Sequence, residues 1–101
     1  MTNLTEDAEI MRASATVRPE VLLQQVWDGA STLFNTRIES GVGIDRIGTR
    51  RIRALIDAPS VEAACEALER EYEADPEWLF HDVRAFVLKQ VDRGLLEFAA
   101  A

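Results

Sequence analysis

The apolar positions change spacing partway along this chain. Between Val21 and Ile38 they fall at neighbouring or alternate sites, as on strands, and from Ile47 onward they recur every three or four residues, as on helices. Val21 to Trp27 predicts a strand, and Asp28-Gly29 predicts a hairpin turn because both residues tolerate positive φ. Ser31 to Ile38 predicts the return strand, with Thr32, Phe34, Thr36 and Ile38 alternating with Leu33, Asn35 and Arg37. Glu39-Ser40-Gly41 turns the chain again. Val42 and Ile44 then place two branched side chains on one face of a short third strand, and Gly43 leaves the other face bare.

Three helices are predicted next. Asp45 or Thr49 can cap the first, whose stripe is Ile47, Ile52, Leu55 and Ile56, and Ala58-Pro59 stops it. Ser60 caps the second, with Val61, Ala64, Cys65, Leu68 and Tyr72 at helical spacing. Asp75-Pro76 opens the third, with Val83, Phe86, Val87 and Val91 as its stripe and Gly94 at its left-handed end. Leu95, Leu96 and Phe98 then fold back on the body. Trp27 and Trp78 read as packing anchors. Residues 1–15 show no strand pattern and are expected to form a mobile tail, leaving 16–101 as one domain. The expected architecture is α+β, a three-stranded antiparallel meander followed by three helices. The third strand is then an edge, short and flanked by glycine, beside helices. Such an edge is a place where another chain can add in extended form.

Composition narrows the function classes. Hydrophobic residues make up 48% of the 101, which is enough for a core without disulfide or metal. The single cysteine, the absence of a long apolar run and the acidic start (Glu6, Asp7, Glu9) point to a cytoplasmic protein with no membrane association. The net charge of −7 weighs against nucleic acid. Arg46, Arg50, Arg51 and Arg53 cluster on one segment, and Glu62 to Glu77 is acidic, both as expected for solvated surface.

The residues offer little to catalysis. His81 is the one histidine and reads as surface, and Cys65 lies on an apolar stripe as a core thiol. No metal-ligand spacing is present, and the glycines at 41, 43 and 48 lack the order of a phosphate loop. No enzymatic activity, cofactor or metal is expected.

Several segments taken together resemble the PqqD-like family, also called the RiPP recognition element. They are GVGID, RIGTRRIRALID, SVEAACEALEREYEADPE and DVRAFVLKQVDRGLLE. Within them Ile44-Asp45, Gly48, Ile52, Leu55, Ser60-Val61-Glu62, Tyr72, Asp82-Val83, Phe86-Val87 and Gly94-Leu95-Leu96 fill the family's places, over residues 17–98. Val42-Gly43 stands where the family often has an aromatic residue, and Leu88 and Gln90 exchange the usual charged and apolar positions. The resemblance implies a winged helix-turn-helix fold without catalysis. It also implies binding of the leader segment of a ribosomally made precursor peptide, which adds as a strand and is presented to modifying enzymes. The length resembles the free-standing versions in lasso-peptide pathways, where the partners are a leader peptidase and a cyclase.

On that basis the leader backbone is expected to pair with Val42, Gly43, Ile44 and Asp45, with Phe80, Val83, Arg84 and Val87 forming a wall on the third helix. The residues alone leave open whether Val42, Ile44, Val83 and Val87 are pocket or simply core. The alternative is a winged-helix DNA-binding regulator, and a third reading is an adaptor that binds a folded enzyme. The protein is expected to be a monomer or weak homodimer.

Overall fold

The computed structural model describes residues 6–99. Helix α1 (Asp7–Arg12) leads into β1 (Ser14–Val17), followed by β2 (Val21–Gln25), β3 (Ser31–Asn35) and β4 (Ser40–Ile44). Helices α2 (Arg46–Asp57), α3 (Val61–Tyr72) and α4 (Pro76–Asp92) come next, then β5 (Leu96–Ala99). The fold is α+β, with one three-stranded antiparallel sheet in the order β2-β3-β4. A second sheet pairs β1 with β5, from Ser14 opposite Ala99 to Val17 opposite Leu96.

Local chemistry sets the boundaries. Asp28 and Gly29 both take positive φ in the loop between β2 and β3, and the Val26 N–H and Ala30 carbonyl close it at 2.9 Å. The predicted strands run too long at this hairpin. Trp27 lies in a short 3-10 turn and Thr36–Glu39 form the next turn, because Asn35 Oδ1 accepts from the Arg37 and Ile38 N–H groups and curls the chain there. Asp45, Ser60 and Asp75 cap the three long helices through Gly48, Ala63 and Trp78 N–H, and Pro76 opens α4. Gly94, at φ +75°, lets the chain leave α4 for β5.

Two apolar clusters hold these elements. The larger joins α1, β1, α2, α3, α4 and β5 around Ile10, Leu55, Val61, Leu68, Leu79, Val83, Val87 and Leu96. The smaller joins the sheet to α2 through Val21, Leu33, Ile44, Ile52 and Leu95, and Phe86 and Val17 touch both. Each large side chain buried in this way stabilises the fold by about 1.5–3 kcal/mol. Inside, the Ser31 and Thr49 hydroxyls meet at 2.7 Å, tying β3 to α2.

The expected tail is not what residues 7–15 form. They make α1 and the start of β1, with Ile10, Ala13 and Ala15 buried, and the Val61 N–H donates to the Ala13 carbonyl at 2.8 Å. Residues 1–5 lie outside the described range. The segment lacks a strand pattern because only four residues pair and their partner, β5, lies at the far end of the chain. Ile47, Ile56, Tyr72, Trp27 and Trp78, read as packing residues, are exposed. In α2 the places beside Ile52 and Leu55 on the buried face go instead to Gly48, Thr49, Arg51 and Ala54.

Candidate functional site

β4 is an outer strand of its sheet, and the described C-terminal strand does not cover it, because β5 is committed to β1. A strand with a neighbour on one side only presents alternate backbone N–H and C=O groups outward. The edge is short, Gly43 leaves its outer face bare, and Phe34 lies against Gly41. A Cβ on Gly43 would meet nothing within 4 Å.

Beside this edge runs a groove of about 290 Å³. Gly43, Ile44 and Asp45 line one side, Ile47, Gly48 and Arg51 of α2 the floor, and Asp82, Phe86, Lys89, Gln90 and Arg93 the side made by α4 and its C-cap. Gly48 sets the width. A Cβ there would lie 2.6 Å from Ile44 Cγ2 and 3.1 Å from the Phe86 ring, so only glycine lets α2 start this close to both. Asn35 fixes the far end, since it sits opposite Ser40 in the sheet and its Nδ2 donates to the Gly94 carbonyl at 2.8 Å.

Charge is arranged along the groove. At the α2 end, Arg51 pairs with Asp82 and its Nη1 donates to the Ile47 carbonyl at 3.4 Å. At the other end Lys89 and Arg93 stand four residues apart on α4, neither in an ion pair among the described residues.

On the opposite face of the sheet lies a larger apolar trough of about 660 Å³, with exposed Leu22 and Phe34 beside Gly41 and Gly43. An extended chain paired with β4 would send alternate side chains toward the groove and toward this trough.

The expected site residues divide. Gly43, Ile44 and Asp45 line the groove, and half-buried Val42 lies between the glycines on β4. Ile44 is also core, as is Leu33 beside it. Phe80, Val83, Arg84 and Val87 do not face the groove. Val83 and Val87 are fully buried in the larger cluster, Phe80 packs against that cluster, and Arg84 Nε donates to Asp7 Oδ1 at 2.7 Å. At 100° per residue, Phe80 and Arg84 fall on one flank of the Val83–Val87 stripe, while Asp82, Phe86, Lys89 and Arg93 fall on the other. The flank that faces β4 is the second. Its spacing was readable as a stripe, but which flank meets the sheet is set by how α4 packs.

The other expectations about chemistry meet simple geometry. Cys65 is buried, and that burial, aided by Glu69, pushes its thiol up to about 11. No group of three or more potential metal ligands occurs among the described residues, and no described helix is long and apolar enough to cross a membrane.

Comparison with known proteins places the fold. The family profile of coenzyme PQQ synthesis protein D matches residues 33–96, from β3 to the start of β5. The chain belongs to the PqqD family. Two solved structures share the PqqD-family fold seen here. TbiB1, in complex with the TbiA(β) leader peptide, has a TM-score of 0.76 at 23% identity over 85% of this chain and 99% of that one. Lasso peptide synthetase B1, complexed with the leader peptide, gives 0.74 at 22% identity over 84% and 99%. No curated protein matches the sequence.

Proposed function

We propose that this protein binds the leader segment of a ribosomally synthesised precursor peptide and performs no catalysis itself. The leader adds as a strand to β4, with side chains entering the groove beside α4, and the complex is presented to a processing enzyme. A lasso-peptide leader peptidase, followed by a cyclase, is the partner this reading favours, in the cytoplasm. The observation that carries it is the open β4 edge next to a groove, with β5 held by β1. Membership of the PqqD family supports it, as does the fold shared with two proteins solved with leader peptides. The meander followed by α2, α3 and α4 fits a winged helix-turn-helix, with β2–β3 as the wing-like hairpin. The edge residues retained from the sequence are Val42, Gly43, Ile44 and Asp45, of which the last three line the groove. On α4 the contacts move to Phe86, Lys89, Gln90 and Arg93.

The fold alone would also serve a DNA-binding regulator. The net charge of −7, and Glu77, Asp82 and Asp92 along α4, weigh against duplex contact.

Proline substitutions on β4 test the proposal. N–H groups of successive strand residues point alternately to β3 and to the open edge, so one of Val42→Pro and Gly43→Pro deletes an outward donor and the other a ladder donor. The outward one should weaken binding of labelled leader segments, taken from short reading frames flanking the gene, by about fivefold or more, as for one lost hydrogen bond of about 1 kcal/mol. Fluorescence anisotropy reads the affinity and circular dichroism confirms the helices. Undiminished binding by both variants would rule out strand addition at β4.

A further inference from the structure

The groove holds an imbalance that strand pairing does not use. Among the described residues, two buried side-chain atoms have no hydrogen-bond partner, Arg51 Nε and Gln90 Oε1, and both belong to residues lining this groove. Gln90 is 3% exposed and sits between Lys89 and Arg93, which face the same groove in a chain of net charge −7. Among the described residues no carboxylate forms an ion pair with Lys89 or Arg93. Because nothing holds the Gln90 carbonyl, its amide can turn its N–H₂ toward an acceptor. Three donor-bearing side chains therefore converge on one end of the groove. An ammonium, a guanidinium and an amide make a site for a carboxylate.

We propose that Lys89, Gln90 and Arg93 read an acidic side chain, so that the peptide accepted at β4 carries an aspartate or glutamate that enters the groove at the C-terminal end of α4. The inference rests on the strand-addition reading and adds a requirement on the guest sequence. The Arg51–Asp82 pair at the other end is already neutralised, so the preference is local to one position of the guest.

Cations in the last turn of a helix also offset its dipole. A role confined to that would affect stability and leave peptide choice untouched, so the readout must be choice. The experiment selects a displayed random linear peptide library on the immobilised wild-type protein, on Lys89→Glu/Arg93→Glu, and on the two β4 proline variants, each checked for folding by circular dichroism. The wild type should enrich peptides with Asp or Glu at one fixed position, and the outward-facing proline variant should fail to retain them. Lys89→Glu/Arg93→Glu should lose that preference or exchange it for Lys or Arg. In a recovered peptide, Asp→Asn or Glu→Gln at that position should weaken binding to wild type about tenfold, with the difference shrinking at high salt.

If peptides are enriched and lost with the proline, but show no acidic position or the same one on the charge-reversed protein, this inference fails and strand addition stands. If no peptide is enriched, or both proline variants keep them all, strand addition fails and takes the inference with it. Gln90→Leu supplies a variant without charge change. It should reduce the acidic preference while keeping strand-dependent binding, and an unaltered preference would remove Gln90 from the site.

Discussion

Cys65 shows how completely a position can be closed to chemistry. It faces the larger cluster from α3, and burial comes first among the causes that raise its thiol from 9.0 to about 11. The consequence for stability has a definite sign. Between those two values the unfolded chain releases the thiol proton while the folded chain keeps it, so stability is complete below about pH 9 and falls as pH rises toward about 11. Cys65→Ala should flatten that part of the profile relative to wild type. Urea unfolding of both proteins near neutrality and at about pH 10 measures it. A thiol reagent should modify native Cys65 only as fast as the fold opens. Cys65 was readable from the sequence because its neighbours Val61, Ala64 and Leu68 share a face at helical spacing. Gly48 was readable only as a small residue near a helix start. Its contacts with Ile44 and Phe86 depend on side chains brought there by other elements.

At the scale of elements, α4 carries two jobs on adjacent faces. Leu79, Val83 and Val87 hold the core, and the stripe from Asp82 to Arg93 forms one bank of the groove. The helix itself, its Asp75 cap and its glycine end were all legible, since capping is local chemistry. The bank was not, because a helical stripe has two flanks and the chain alone does not say which one meets a sheet formed forty residues earlier. Ile47 misleads for a related reason: it is apolar and near the helix start, but it lies about 100° around α2 from Gly48, which with Thr49 takes the buried side of the first turn. Asn35 is what holds α4 to the sheet at the groove's far end. Asn35→Ala would strip the Gly94 carbonyl and the Arg37 and Ile38 N–H groups of their partner. Because Asn35 is buried, the loss should cost about 2–3 kcal/mol in chemical denaturation. Amide exchange at Arg37 and Ile38 should speed up in the same variant.

At the scale of the molecule, the meander and three helices were visible in sequence, while α1 and β1 were not. Six residues of helix with one buried side chain give almost no period, and their stability comes from α3 and β5, distant in sequence. Their packing makes them part of the fold. Ile10 is fully buried in the larger cluster, so Ile10→Ala should lower the unfolding free energy by about 2–4 kcal/mol, measured by guanidinium denaturation. An unchanged value would mean that residues 7–17 contribute nothing to the cooperative unit.

The pairing of Ser14 with Ala99 sets the end of β5 beside the start of β1, next to the start of α3, where Ala13 meets Val61. That helix takes no part in lining the groove. A label attached at Ala99 would therefore stand beside that helix and leave the groove unobstructed.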